Sequence, residues 1–365
     1  MRTVGVEEEL LLVDAESGEP RDLSTAVLAA ASREALRRGK DEVFESELQR
    51  EQLEFATRPH TSMEKLAREI RRWRGEAAQH AERMGAAVAA LATSPLPVRP
   101  SLGLGKRYQW MGDRFGLTAQ EQLTGGCHIH VSVGSDEEGV AVLDRIRVWT
   151  AVLLALSGNS PFWQGNDSRY ASYRSQVWGR WPSAGPTEVF GSPAAYHQHV
   201  QELLETGVLK DQGMIYFDAR LSHRYPTVEV RAADVCLDPA APVMLAALTR
   251  ALVETAAREW REGKPPAPRA LTVLRMASWQ AGRYGLEQQL IHPATMRPAP
   301  ARTVVQALVD HARDALIDAG DLELVQETIS KLLTEGTGSR VQRELLARTG
   351  SLHEVVTECV HRTQA

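Results

Sequence analysis

Two histidines, His128 and His130, stand two residues apart in the segment Gly125-Gly126-Cys127-His128-Ile129-His130-Val131. Three other segments carry polar or ionisable residues at the same spacing: Glu7 and Glu9, Gln52 and Glu54, and Thr227, Glu229 and Arg231. Carboxylates crowded within a few ångströms raise one another's pKa unless a cation intervenes. Hard oxygen ligands with one or two imidazoles select Mg²⁺ or Mn²⁺, and paired ions of that kind clamp nucleotide phosphates. Glu7, Glu9, Glu54, His128 and Glu229 therefore read as metal ligands. Glu47, in Glu45-Ser46-Glu47, is a further candidate. Its odd spacing from Glu54 requires the chain to bend between them. Any one of these glutamates alone is an ordinary exposed strand residue; the set is what points to a site.

The elements that must position them are strands of period two. In residues 3–13, Gly5, Glu7 and Glu9 share one face while Val4, Val6, Leu10 and Leu12 share the other. Residues 52–57 set Gln52 and Glu54 against Leu53 and Phe55, and 127–133 set His128, His130 and Ser132 against Cys127, Ile129, Val131 and Val133. Residues 227–231 set Thr227, Glu229 and Arg231 against Val228 and Val230. A sheet of these strands has a dry face for helices and a wet face crowded with acids and imidazoles. Glu8 falls on the dry face, so it is either paired there or a sign that the register is shifted.

Helices supply the rest. An apolar stripe from Met63 through Leu66, Ile70, Trp73 and Ala77 to Leu91 predicts a helix over 62–91, opened by a Thr61/Glu64 capping box. A second helical stretch covers 144–156. The chain reads as helix-rich from about Ala240, with breaks at 263–266, 296–300 and 336–338, and as one domain over residues 1–365 because no shift of composition marks a boundary.

Composition narrows the function classes. With 43% hydrophobic residues in 365, the chain can bury a substantial core. A charge of −5, from 42 basic and 47 acidic residues, disfavours nucleic acid or an anionic membrane as partner. The longest apolar run, 149–156, is too short to cross a bilayer, and no basic segment followed by an apolar one opens the chain. Three cysteines without a CxxC pair argue against a disulfide framework or a thiolate zinc site, which leaves the cytoplasm as the expected location.

Between 159 and 193 lies a segment rich in Gly, Ser, Pro and Trp. A stretch of that length reads as a lid or binding loop, or as an Ω-like loop packed on its own aromatics. As a lid, it would use Arg169, Arg174 or Arg180 to pair a substrate carboxylate. The turn Gly336-Thr337-Gly338 could set Arg340 near phosphate. His197 and His199, two apart on a helix, read as surface residues. Cys127 reads as a core thiol, and Gly103-Leu104-Gly105-Lys106 lacks the spacing of a phosphate loop.

Four ordered motifs carry a resemblance: Gly5-Val6-Glu7-Glu8-Glu9-Leu10, Gln52-Leu53-Glu54-Phe55-Ala56-Thr57, the His128/His130 segment, and Thr227-Val228-Glu229-Val230-Arg231. They resemble the signature strands of the glutamate–cysteine ligase family. Asn159-Ser160-Pro161-Phe162-Trp163, Tyr170 to Ser175, Trp178 to Pro182 and Gly336 to Arg343 are similar to its bacterial carboxylate–amine ligase branch. The resemblance implies an α+β fold like the glutamine synthetase catalytic domain, a curved antiparallel sheet lining the site with helices behind. It implies ATP and Mg²⁺ (or Mn²⁺) as cofactors and amide formation through an acyl phosphate, with L-glutamate and L-cysteine one candidate pair and a homodimer the expected assembly. It makes Glu7, Glu9, Glu47, Glu54, His128 and Glu229 metal ligands. His130 and Ser132 fall near the nucleotide phosphates, and Arg231 is the cation for the phosphoryl group in flight. The alternatives are a metal-dependent amidase or guanidino kinase of the same fold group, or an inactive binding protein.

Overall fold

The computed structural model describes residues 1–38 and 44–364. Among them, seven strands form one antiparallel sheet: β1 (Val4–Asp14), β2 (Phe44–Ser46), β3 (Gln52–Ala56), β4 (Ala86–Ala89), β5 (Gly126–Ser132) and, beyond a small hairpin of β6 (Phe162–Trp163) and β7 (Asn166–Asp167), β8 (Ala219–Leu221) and β9 (Thr227–Asp234). The order is β2-β3-β1-β5-β9-β8, with β4 on the far end of β1. Alternation finds β1, β3, β5 and β9. It does not find β2, β4 or β8, which are three or four residues long and too short to display a period.

Register brings the ionisable residues together. Glu9 stands opposite Glu54 across β1 and β3, Glu7 opposite His128 across β1 and β5, and His130 opposite Glu229 across β5 and β9. The β5–β9 register shifts between Cys127 and Ile129, so that β9 fits one extra residue there. Such a bulge re-aims the side chains at its edge. The apolar face is dry: Val4, Leu10, Leu53 and Phe55 are fully buried. Helix Ala240–Arg261 packs on β1 and β5, and helix Thr150–Ser157 on β9.

Glu8 resolves in favour of pairing. Its carboxylate is fully buried and takes Nε and Nη2 of Arg74 at 2.8 and 2.7 Å. The same guanidinium donates to the carbonyls of Cys236 at 2.7 Å and Leu237 at 3.1 Å. The pair ties β1 to helix Met63–Glu82 without shifting the register.

Several helical expectations are corrected. The stripe over 62–91 is two elements: helix Met63–Glu82, then a turn at Gly85 (φ 68°), then β4. A left-handed residue ends a helix, and apolar spacing alone cannot register it. The N-cap is Ser62, which accepts from the Lys65 amide, so the Thr61 box does not form. The stretch 144–156 divides into Asp136–Ile146 and Thr150–Ser157. The break at 296–300 contains β11 (Arg297–Pro300), paired with β10 (Gln289–His292). Helix Ala240–Arg261 is long and apolar enough to span a bilayer by length and composition, but 83% of that window is buried, as befits the core helix it is.

Candidate active site

The wet face of the sheet floors a cavity of about 680 Å³. Glu7, Glu9, Glu47, Glu54, His128, His130, Ser132, Glu229 and Arg231 all line it. Glu7 sits between the two imidazoles, with Oε2 3.3 Å from His128 Nδ1 and Oε1 3.2 Å from His130 Nε2. His128 Nε2 lies 3.5 Å from Glu9 Oε1, while the other oxygen of Glu9 accepts the Gly126 amide at 2.6 Å. A Cβ at Gly126 would come within 2.5 Å of Arg174 Nη2 and 2.9 Å of His128 Nε2, so a larger residue there would displace the ends of both side chains.

The bend that Glu47 needs is present. β2 runs antiparallel to β3 with Glu45 opposite Glu54, and the intervening turn brings Glu47 back to face Glu9 and Glu54. Two ligand sets result, each with its donor atoms within 4.8 Å: Glu7, Glu54 and His128, and Glu7, His130 and Glu229. Glu7 belongs to both. Nε2 of each histidine is buried without an aligned hydrogen-bond partner. Orphaned imidazole nitrogens among carboxylate oxygens are a donor set that fits Mg²⁺ or Mn²⁺.

Electrostatics divide the floor in two. Burial and the facing Glu47 push the Glu9 carboxyl up to about 7 and hold Glu54 well above the usual carboxylate range. Burial would raise Glu7 as well, but His128 and His130 hold it well below its ordinary value. Burial and Arg231 depress the His128 imidazole to about 4. His130 is raised, because Glu7 outweighs its burial. Glu229 overcomes its own burial through Arg231 and Arg220 and stays well below the carboxylate range. One end of the floor is thus a proton-holding acid cluster, and the other an ionised carboxylate clamped by two guanidiniums.

Comparison with known proteins shows the family. The sequence model of glutamate–cysteine ligase family 2 matches residues 3–358. The chain belongs to glutamate–cysteine ligase family 2. As a member it is an ATP-dependent carbon–nitrogen ligase. It is 63% identical over 364 residues to a Streptomyces avermitilis protein named "Putative glutamate--cysteine ligase 2-1", covering 100% of both chains. It is 63% identical over 365 residues, again with 100% of both covered, to a Streptomyces coelicolor protein named "Putative glutamate--cysteine ligase 2". Its fold is similar, at a TM-score of 0.68 and 15% identity, to the crystal structure of a Francisella tularensis glutamate–cysteine ligase in complex with AMP, covering 100% of this chain and 88% of that one.

In this ligase the loop arginines lie elsewhere than expected. Arg169 is exposed, at φ 62°, and does not line the cavity. Arg174 is buried behind it, donating to the Arg231 and Ala232 carbonyls at 3.3 and 3.4 Å. Arg180 pairs with Glu121 at 2.6 Å outside the cavity. Arg340 is spent on Glu344, one helical turn along, at 2.7 Å. Arginines in a loop satisfy whatever carbonyl or acid packs against them, which spacing cannot foresee. The segment 159–193 is a packed wall: the Asp234 carboxylate accepts the Asn159 amide and the Ser160 and Ser172 hydroxyls at 2.7–2.9 Å. Trp178 and Trp181 from that wall line the cavity.

Sequence reasoning missed other lining residues of the ligase. Arg220 grips both oxygens of Glu229, at 2.8 and 3.1 Å, and also donates to the Ile215 carbonyl at 2.8 Å. Its only sequence signal is an arginine flanked by Ala219 and Leu221 in a three-residue strand. Gln122, Tyr108 and Tyr216 line the cavity from loops and a helix that carry no period-two pattern.

Proposed function

We propose that this ligase joins the side-chain carboxylate of L-glutamate to an amine, with L-cysteine as the first candidate, through an acyl phosphate formed from ATP. The observation that supports the reading is the pair of ligand sets sharing Glu7 on one sheet face. Glu7, Glu54 and His128, with Glu9 and Glu47 beside them, would hold one Mg²⁺ or Mn²⁺, and Glu7, His130 and Glu229 a second. Bound there, the ions would neutralise phosphate and carboxylate oxygens as charge moves between them. Moving His130 from a phosphate contact to a ligand follows from its grouping with Glu7 and Glu229.

The chain's own residues do the rest. Arg231 is held in one orientation by its ion pair with Glu229 and lies 5.5 Å over the Trp178 ring. A buried, fixed cation stabilises a phosphoryl group in transfer more than a mobile one, since nothing reorganises as charge develops. Arg220 holds Glu229 from the other side, so the carboxylate cannot swing away with Arg231. Ser132 accepts the Thr3 amide at 3.0 Å and fixes the end of β5 beside His130. Family kinship supports the further proposals of a homodimer and a cytoplasmic location. One sheet that gathers strands from Val4 to Asp234 supports reading the chain as a single domain.

The test is an ADP-release assay with Mg²⁺ or Mn²⁺ across a panel of acids and amines, followed by mass spectrometry of the product. ADP that appears only when glutamate and an amine are both present supports the proposal. Product formed without ATP would indicate an amidase, and phosphoryl transfer to a single co-substrate a kinase. No ADP across the panel would reject the substrate assignment.

A further inference from the structure

The two histidines of the cavity floor are held differently. His128 faces a carboxylate with each nitrogen, Nδ1 at 3.3 Å from Glu7 Oε2 and Nε2 at 3.5 Å from Glu9 Oε1. His130 faces a carboxylate with Nε2, 3.2 Å from Glu7 Oε1, and a neutral hydroxyl with Nδ1, Thr227 Oγ1 at 3.0 Å. That Nε2 is buried without an aligned hydrogen-bond partner and belongs to the ligand set of Glu7, His130 and Glu229. One nitrogen is thus tied, and the other is open towards the acids.

Register delivers the hydroxyl. β5 and β9 pair His130 with Glu229 and Ser132 with Thr227, so Thr227 is a diagonal neighbour of His130 on the wet face, within reach of a long side chain. Ser132 commits its own hydroxyl to the Thr3 amide at 3.0 Å. The hairpin that precedes β9 fixes Thr227 in turn. Its amide donates to the Tyr225 carbonyl at 2.7 Å, and its carbonyl accepts the Ser222 amide at 3.0 Å. The Tyr225 ring stands edge-on to the imidazole, with centroids 6.3 Å apart. An imidazole that offers one nitrogen's lone pair to an ion keeps its proton on the other nitrogen, and the acceptor of that proton sets the ring's orientation. Half a turn of the ring about the Cβ–Cγ bond would put a carbon where each nitrogen now stands, and would forfeit the Thr227 bond.

We infer that Thr227 is a positioning residue for His130: its hydroxyl accepts the Nδ1–H and thereby aims the Nε2 lone pair towards the space shared with Glu7 and Glu229. The inference rests on the ion-binding reading above and deepens it, because it assigns which nitrogen of His130 meets the ion and which residue holds it there. The β8–β9 hairpin then supplies three parts of one site: Glu229, the Arg220 grip on Glu229, and the Thr227 grip on His130.

Two substitutions test it. Thr227→Val keeps the β-branched shape and removes the hydroxyl, and Thr227→Ser puts the hydroxyl back. Electron paramagnetic resonance would measure Mn²⁺ binding to the full chain with a non-hydrolysable ATP analogue. Affinity is expected to fall about 10–100-fold in Thr227→Val, the scale on which loss of a partner behind a ligating histidine acts, and to be largely restored in Thr227→Ser. Nitrogen-15 spectra of the Mg²⁺-loaded chain add a signature that packing alone would not move. In the parent and in Thr227→Ser, His130 should carry its proton on Nδ1, and that proton should exchange slowly with water; in Thr227→Val its signal should be lost to exchange. Unchanged Mn²⁺ affinity in Thr227→Val, a Thr227→Ser no better than Thr227→Val, or an Nε2-protonated His130 in the loaded parent overturns the inference. Absence of Mn²⁺ binding by the parent overturns it together with the ion sites. Failure of the ligase reading alone would instead show as absent ADP release with the Thr227 dependence of Mn²⁺ binding intact.

Discussion

Glu9 and Glu54 face each other across the β1–β3 register, and both carboxyls are driven upward by burial and by Glu47. Three acids on one patch cannot all ionise without a cation. Glu9 titrates near 7 in the fold against 4.5 as a free group. Without metal, the stability held by its proton is fully present below pH 4.5 and is lost as pH rises through about 7, a contribution of a few kcal/mol at most. The melting temperature of chelator-treated protein should therefore fall from pH 5 to 8, and Mg²⁺ should restore it more at pH 8 than at pH 6. Calorimetric titration of Mg²⁺ in buffers of different ionisation enthalpy should register proton release near pH 7. Equal Mg²⁺ affinity at both pH values would rule out this acid cluster as the ion's site.

Glu54→Gln and Glu229→Gln are expected to lower turnover by about a hundredfold or more, the scale on which loss of one charge-stabilising group acts in a dry site. The two should part company in the metal-free protein. Glu54→Gln removes an acid that burial and Glu47 make costly to ionise and should leave the melting temperature at neutral pH unchanged or higher. Glu229→Gln leaves Arg220 and Arg231 buried without their carboxylate and should lower it. Near-normal activity in either variant would sink the ligand assignment.

Arg220 holds the Glu229 carboxylate through two of its nitrogens, Nε and Nη2, one on each oxygen. Arg220→Met should weaken metal-dependent activity by about 10–100-fold, as loss of a partner behind a metal ligand does. Raising Mg²⁺ should recover part of the loss. Arg220→Lys keeps the charge but not the two-pronged grip, and should recover little. A variant indistinguishable from the parent at limiting Mg²⁺ would show that Arg231 alone suffices.

The Arg74–Glu8 pair predicts a change in stability rather than chemistry. Arg74→Met strands a buried carboxylate and should destabilise the fold by about 3–5 kcal/mol in denaturant titration. Replacing both partners, Glu8→Leu with Arg74→Met, should return much of that. If the single variant loses less than about 1 kcal/mol, the carboxylate has found another partner or a proton.

The wet sheet face was legible in the sequence because a strand's side chains alternate by geometry. Glu7, Glu9, Glu54, His128, His130, Glu229 and Arg231 could be assigned to one face before any contact was known, and the structure brings all of them to one cavity. Glu8 was legible only as a contradiction. Its resolution required Arg74, 66 residues away, which no local pattern connects to it. The same limit explains the loop arginines: Arg174, Arg180 and Arg340 carry the right charge, yet each is taken by a carbonyl or acid that tertiary packing delivers. Periodicity therefore determined which side chains share a surface. Packing alone decided which of them remain free to meet a ligand, because hydrogen-bond partners are set by distance in space and not along the chain.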